Sequence, residues 1–127
     1  MIKIKFESFG FKYGLPDDGR MIIDVRHLPN PYWDEKLRPF CGLDQCIADF
    51  IMDSDVTKEF LKNLYGLLDS YFEETAKNGN NIISVGIGCT GGQHRSVFIA
   101  ETLYKHYKDQ YECTVSHREM WRYKKDN

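Results

Sequence analysis

The chain has 127 residues, which is enough for one ordinary domain and too few for two. Hydrophobic residues make up 42% of it, so a core is expected, and no apolar run approaches the roughly 18 residues of a membrane span. The formal net charge of -2 argues against a protein that coats nucleic acid nonspecifically, although a local basic patch stays compatible with it. Since the N-terminus also lacks the apolar block of a signal peptide, we expect one cytoplasmic domain over residues 1–127, away from membranes.

The first third of the chain has the pattern of two strands joined by loops. Residues 1–9 are predicted to form a strand because Ile2, Ile4 and Phe6 alternate with lysines. A short apolar run over residues 21–28 predicts a second, buried strand. Glycines and prolines predict loops over residues 10–20 and 29–44. Loops as long as the second one usually have a function or are covered by other structure.

Two helices are predicted next. Asp44 is the predicted cap of a short helix that ends at Met52, and Asp55 is the predicted cap of a long one that ends near residue 77. The predicted buried stripe of the long helix has helical spacing and consists of Val56, Phe60, Leu64, Leu67 and Tyr71.

The last third alternates strand, helix and strand. Strands are predicted over residues 82–88 and 111–118, with a helix over 93–108 between them. The predicted core stripe of that helix is Val97, Ala100, Tyr104 and Tyr107. Strands separated by helices favour an α/β fold with a mostly parallel sheet and helices on its faces, which is a three-layer arrangement.

The junction between the third predicted strand and its helix, GCTGGQHRS over residues 88–96, has the features of an anion site. A helix start offers main-chain N–H groups without partners, and Gly91 and Gly92 allow a bound group to approach the backbone. Arg95 adds a forked cation, and Thr90 and Ser96 add hydroxyls. The alternative is a tight turn at the glycines, with Arg95 on the surface and Cys89 in the core.

Cys89 and Arg95 also fit the C-x5-R pattern of cysteine-dependent phosphatases, in which a thiolate attacks phosphorus. Such an enzyme needs a general acid, and the candidates Asp24, Asp34 and Asp44 are not distinguished by their spacing. We keep a phosphatase as the alternative function and expect the domain not to be an enzyme.

The cysteines do not predict a disulfide framework or a metal centre. Four cysteines in a chain of this kind are expected to be free thiols in a reducing compartment. A zinc site is the alternative, but its spacings lack the usual ligand pattern. Its ligands would be Cys41, Cys46, Cys113 and His117. We expect neither a metal nor another cofactor.

Four segments in this order, ESFGFKYGLP, DVRHLPNPYW, LRPFCGLD and GCTGGQHRSV, resemble the C-terminal domain of the RNase adapter protein RapZ, the YvcJ family. The resemblance covers nearly the whole chain. It implies an α/β fold similar to part of phosphofructokinase, binding of glucosamine-6-phosphate, and homo-oligomers. In enterobacteria it also implies binding of small RNAs, which are presented to an endoribonuclease.

The sequence departs from that family in three respects. It contains no G-x4-G-K-[ST] motif, so the nucleotide binding of the family's N-terminal P-loop domain is not carried over. Cys41 stands where many relatives have a small hydroxyl residue, and Tyr32 stands where some have histidine. Whether this domain stands alone or belongs to a longer chain is left open.

The residues and the resemblance together predict a phosphate site. Its expected ligand residues at the loop are Cys89 (at the strand end), Thr90, Gly91, Gly92, His94, Arg95 and Ser96. The first two strand ends are expected to add Lys12, Arg26, Asn30 and Tyr32. The alternatives are a plain surface lysine at Lys12 and a structural Asp24–Arg26 pair. Tyr32 and Trp33 would form a wall against a sugar face or a base, or else pack as core aromatics.

The candidate RNA surface combines the C-terminal residues with Lys3, Lys5 and Lys12 near the N-terminus. The predicted contacts are Arg118, Arg122, Lys124 and Lys125. Trp121 and Tyr123 would stack on bases or pack the tail onto the domain, and a solvated, frayed terminus is the alternative. The function we expect is a regulatory module that binds a sugar phosphate and acts as an RNase adapter.

Overall fold

Four parallel strands form the centre of the molecule. The structure is a computed structural model, and it describes residues 2–18, 21–79 and 81–123. The strands are β1 (Lys3–Gly10), β2 (Met21–Asp24), β3 (Ile82–Cys89) and β4 (Glu112–His117). The helices are α1 (Gln45–Met52), α2 (Asp55–Lys77), α3 (Arg95–Tyr107) and the one-turn α4 (Met120–Tyr123). Short 3₁₀ turns cover Phe11–Tyr13 and Pro31–Trp33.

The strand order is β2-β3-β1-β4, and every neighbouring pair is parallel. This all-parallel sheet flanked by helices confirms the predicted α/β class and is consistent with three layers. Because the strands are parallel, their carboxyl ends meet at one edge of the sheet. In the register, Gly10 lies beside Cys89 and Asp24 lies beside Gly88, so the predicted loop is at that edge.

The core lies between the sheet and the long helices. Phe72 of α2 packs edge-on against Phe6 of β1 and Tyr107 of α3, with ring centroids 6.4 and 5.1 Å apart. These aromatic contacts join the two helices to the central strand. The fully buried aliphatic residues around them include Ile2, Ile4, Ile47, Ile51, Leu68, Ile83, Ile87 and Ile99.

The predicted stripe of α2 is only partly buried: Leu64 lies in the core, whereas Phe60 and Tyr71 are half-buried and pack against it. The buried residues of α2 are Thr57, Leu61, Leu64, Leu68 and Phe72. Val56 and Leu67 are 54% and 56% exposed, so only Leu64 belongs to both sets as a buried residue. Both stripes have helical spacing, and the choice between them depends on tertiary partners that a local pattern does not contain.

Element boundaries differ from the predictions where a side chain or a turn decides them. Ser54, not Asp55, caps α2, because its hydroxyl accepts a hydrogen bond from Val56 N at 3.2 Å. β2 ends at Asp24, and α3 begins at Arg95 after a bend that includes residues 93 and 94. Among the described residues, no helix is both long enough and apolar enough to cross a membrane.

Candidate anion-binding site

A cavity of about 350 Å³ opens at the carboxyl edge of the sheet. It brings together many of the predicted ligand residues: Lys12, Asn30, Tyr32, Cys89, Thr90, Gly91, His94 and Arg95. Trp33, Gln93 and Tyr123 complete the lining. Within the described part of the chain, no carboxylate side chain lines the cavity, whereas Lys12 and Arg95 give it positive charge.

The main-chain amides of the loop form a run of donors. In the described residues, no N–H from residue 91 to residue 97 donates a hydrogen bond to the protein. The first bond of α3 runs from Phe98 N to His94 O at 3.0 Å. The N–H groups that precede this bond in the chain lie at the start of α3, where the helix dipole favours negative charge.

Arg95 is a buried cation without a carboxylate partner among the described residues. Its side chain is 5% exposed, and Nη1 donates to the carbonyls of Arg26 and Leu28 at 2.5 and 3.3 Å. Burial lowers the pKa of Arg95, because its charged form loses water. An arginine nevertheless stays protonated at neutral pH, so the guanidinium keeps a positive charge beside the cavity.

Arg26 has a structural role rather than a place in the cavity lining. Its guanidinium pairs with Asp24 at 2.7 Å and lies 4.0 Å from the ring centroid of Phe11. The hydrogen bonds from Arg26 hold the pKa of Asp24 below its usual value. Among the described residues, the contact of Arg26 with the site is made by its main-chain oxygen, which accepts a hydrogen bond from Arg95.

Glycines let the loop pack directly on the end of β1. Gly92 has a φ of 74°, a left-handed conformation that favours glycine. A Cβ on Gly10 would lie 2.6 Å from the carbonyl carbon of Gly91. Lys12 N donates to Thr90 O at 3.2 Å on the same side. The loop is therefore held by main-chain contacts with the first strand end.

The long loop between β2 and α1 packs against the other side of the site. Gln93 Nε2 donates to the carbonyls of Arg38 and Phe40, both at 2.9 Å, and Gly42 N donates back to Gln93 O at 2.9 Å. His94 is 4% exposed, and its Nε2 lies 3.2 Å from Arg38 O. A carbonyl only accepts, so Nε2 carries a proton. Burial lowers the pKa of His94, which favours the neutral ring at pH 7.

Tyr32 and Trp33 form an exposed wall of the cavity, since they are 46% and 77% exposed and are therefore not core aromatics. Asn30 fixes this turn, because its Oδ1 accepts from Tyr32 N at 3.1 Å. The guanidinium of Arg38 lies 4.6 Å from the ring centroid of Tyr32. The result is an amphipathic surface beside the loop.

The surroundings of Cys89 give no support to the phosphatase alternative. Its thiol is 3% exposed and donates to Ser96 Oγ at 3.1 Å. Asp24 is paired with Arg26, and Asp34 and Asp44 accept hydrogen bonds from main-chain amides of their own turns. None of these three candidate acids lines the cavity.

The segment after β4 folds back onto the loop, so up to Tyr123 it is not a frayed terminus. Glu119 is 1% exposed; it accepts from Gly10 N at 3.0 Å and pairs with Arg118 and Arg122 at 2.8 and 3.1 Å. The Tyr123 hydroxyl donates to Gly91 O at 2.6 Å. Of the predicted RNA contacts, Lys124 and Lys125 lie outside the described residues.

Sequence reasoning missed Gln93 and Tyr123 as members of the site. Gln93 lies inside the quoted loop segment, so its position was a usable signal, although a surface amide is common. Tyr123 had no local signal, because its contact with Gly91 joins residues 32 positions apart. Gly92 and Ser96 do not line the cavity. Gly92 packs against Glu119 and Gly10, and Ser96 Oγ accepts a hydrogen bond from Cys89. In residues 2–18, 21–79 and 81–123, no three His, Cys, Asp or Glu side chains form a metal-binding group.

A family model described as the RapZ C-terminal domain matches residues 2–121. The chain is 43% identical over 120 residues to a nucleotide-binding protein of Shewanella halifaxensis, a match that covers 94% of the chain and 42% of that protein. It is 44% and 45% identical over 120 residues to nucleotide-binding proteins of Lactobacillus acidophilus and Lactobacillus delbrueckii, covering 94% of the chain and 41% of each. The chain thus spans about two fifths of the length of these relatives.

Proposed function

Because the chain belongs to the RapZ C-terminal domain family, we propose that it is a regulatory module whose cavity binds a phosphorylated small molecule. The ligand class is a sugar phosphate of the glucosamine-6-phosphate type. The module acts as a sensor, and no covalent chemistry is assigned to it.

One observation carries the proposal. The main-chain amides 91–97 have no acceptor in the described protein, and they adjoin the buried Arg95, which has no carboxylate partner there. Since no carboxylate of the described residues lines the cavity, a phosphate group would supply the acceptors and the negative charge that the amides and Arg95 favour.

The rest of the cavity suits a small polar ring attached to that phosphate. Trp33 and Tyr32 offer aromatic faces to the apolar side of a sugar. In the described part of the chain the Gln93 side chain bonds through Nε2, and its Oε1 is left as an acceptor for a sugar hydroxyl or ammonium group. A cavity of about 350 Å³ is at the small end of the usual range for ligand sites.

The adapter role is the second half of the proposal: the domain contacts small RNA, and an endoribonuclease acts on the bound RNA. An exposed group of planar side chains supports it. The Arg122 guanidinium lies 3.5 Å from the ring centroid of Tyr13 and 4.4 Å from that of Trp121, which is 68% exposed. Unpaired RNA bases stack on such aromatic and guanidinium planes.

Calorimetric titration with glucosamine-6-phosphate tests the ligand, with glucosamine as the matched compound that lacks phosphate. Arg95→Ala should reduce affinity at least tenfold, and Arg95→Lys should recover only part of it, since lysine has the charge without the fork. Circular dichroism checks that each variant is folded. Equal affinity in the wild type and a folded Arg95→Ala, or equal binding of glucosamine, would contradict the proposal.

An assay with p-nitrophenyl phosphate addresses the enzyme alternative. We expect no release of nitrophenol above that of a Cys89→Ser variant. Cysteine-dependent turnover would make the phosphatase the better assignment.

The RNA role is tested by substitution of Lys124 and Lys125 with alanine together, which leaves the packed contacts of Glu119 and Tyr123 in place. RNA affinity should fall, and its dependence on salt should become less steep, because fewer counterions are released. Unchanged affinity and slope would remove these lysines from the interface.

A further inference from the structure

The C-terminal turn, defined as residues 118–123, forms part of the cavity wall. It follows β4 and reaches across the end of β1 to the loop that begins at Cys89. The inference below concerns the regulation of the proposed phosphate site and rests on the proposed function.

Tyr123 connects the turn to the loop. Its hydroxyl donates to Gly91 O at 2.6 Å, and its side chain lines the same cavity as Arg95. A Cβ at Gly91 would lie 2.8 Å from the Tyr123 oxygen, so the phenol is packed against the backbone of the loop. A group bound at the loop amides therefore lies in the cavity that Tyr123 helps to enclose.

Glu119 makes the second connection. Its carboxylate accepts from Gly10 N, and its Cγ lies where a Cβ on Gly92 would approach it to 2.6 Å. The charge of this buried carboxylate is balanced within the turn by Arg118 and Arg122. Glu119 thus fixes the turn against both the strand end and the second loop glycine.

The turn has little stability of its own. Helix α4 is four residues long and contains no buried residue, and helices of one turn are not stable in isolation. Its position therefore depends on contacts with the rest of the domain, which include those of Glu119 and Tyr123 with the loop and the hydrogen bonds from Arg118 to Ser8 O and Gly14 O. If a ligand changes the free energy of the loop, the same contacts transmit that change to the turn.

We propose that phosphate binding in the cavity and docking of the C-terminal turn are thermodynamically coupled through Tyr123. The docked phenol holds the carbonyl of Gly91 and completes the wall, so the docked form has the higher affinity. By linkage, a bound phosphate stabilises docking by the same factor. Residues 118–123 are thereby ordered more strongly when the cavity is filled.

A conservative substitution measures the coupling from the ligand side. Tyr123→Phe keeps the ring and removes the hydrogen bond to Gly91 O. We expect its affinity for inorganic phosphate, measured by calorimetry, to fall about fivefold or more, the lower range of allosteric couplings. Tyr71→Phe is the matched control on α2, since among the described residues its hydroxyl has no hydrogen-bond partner. It should bind phosphate like the wild type.

Hydrogen exchange measures the coupling from the side of the turn. Arg118 N donates to Ser8 O of β1, so its exchange rate reports docking, and Arg122 N donates to Glu119 O, so its exchange rate reports the folding of the turn. Saturating phosphate should slow both amides at least fivefold in the wild type, and this slowing should be absent in Arg95→Ala and reduced in Tyr123→Phe. A variant that is merely misfolded would have altered amide exchange rates, but those rates would not respond to phosphate.

The outcomes separate this inference from the proposed function. If phosphate binds in an Arg95-dependent way, but Tyr123→Phe retains full affinity and the exchange rates of the turn do not respond, the coupling is wrong and the phosphate site stands. If the wild type does not bind inorganic phosphate or glucosamine-6-phosphate, both proposals are wrong.

Discussion

Arg95 Nη1 donates a hydrogen bond to the main-chain oxygen of Arg26 at 2.5 Å, which joins the start of α3 to the end of β2. One guanidinium therefore both positions a loop and supplies positive charge to the cavity. Nε and Nη2 of Arg95 have no protein acceptor among the described residues, so they are the donors that remain for a ligand.

Arg26→Ala should leave the affinity for glucosamine-6-phosphate within about twofold of the wild type, because only the main-chain oxygen of Arg26 contributes to the site. The exposed pair with Asp24 would be lost, which should lower stability slightly. Calorimetry measures the affinity. A loss as large as that of Arg95→Ala would mean that the Arg26 side chain contacts the ligand.

Gly42→Ala should destabilise the protein by about 1–3 kcal/mol, a typical cost of overpacking. A Cβ there would collide with His94 O, and it would lie 2.5 Å from Phe98 N and 2.6 Å from Val97 Cβ. Gly66→Ala is the matched control within α2, where a Cβ meets nothing within 4 Å. It should stabilise the helix by about 0.5–1 kcal/mol. Urea denaturation measures both, and equal effects would contradict the packing described for Gly42.

Glu119→Gln should destabilise the protein at pH 7 by about 1–3 kcal/mol, since buried charge-assisted hydrogen bonds are lost. Burial alone would raise the pKa of Glu119, but the hydrogen bonds from Gly10 N, Arg122 and Arg118 lower it overall. A lowered carboxyl pKa contributes stability above its ordinary value of 4.5, and this contribution is lost as the pH falls through the lowered pKa.

The difference in unfolding free energy between wild type and Glu119→Gln should therefore shrink below pH 4.5. Urea denaturation over a pH series measures it. Glu112→Gln is the control, because its carboxylate is 61% exposed and lies 3.6 Å from Lys3. A difference that stays constant below pH 4.5 would show that the charge of Glu119 is not what stabilises the turn.

Trp33→Ala should weaken binding of glucosamine-6-phosphate more than binding of inorganic phosphate. The indole lines the cavity and is 77% exposed, so its removal takes away a face for the sugar and leaves the loop amides unchanged. We expect a loss of about fivefold for the sugar phosphate, and calorimetry with both compounds checks it. Equal losses of affinity for the two compounds would mean that Trp33 does not contact the sugar ring.

The sequence predicts those parts of the site that are contiguous in the chain. Glycines, an arginine and hydroxyls between a strand and a helix indicate the loop from Cys89 to Ser96, and the parallel sheet brings Lys12 and Asn30 to it. The motif does not predict that Arg95 is bonded to the carbonyls of Arg26 and Leu28. That contact depends on the path of the loop after β2, and no local sequence pattern predicts that path.

Side-chain choices that depend on distant partners account for the other errors. The stripe of α2 is displaced because Leu68 and Phe72 are fully buried, whereas Leu67 is exposed and Tyr71 packs half-buried beside Phe72. The C-terminal residues have the composition of a basic tail, but one carboxylate, that of Glu119, forms ion pairs with two of the arginines. A count of charges along the chain does not predict which of them are paired in space.

The close contact of Gly10 with Gly91 and Gly92 affects how a ligand would be received. Main chain lies against main chain there, without a side chain that has rotamers to select or to reorganise. Little conformational entropy is then lost by this part of the loop when an anion arrives, so the loop is preorganised, and rearrangement on binding should be confined to the C-terminal turn.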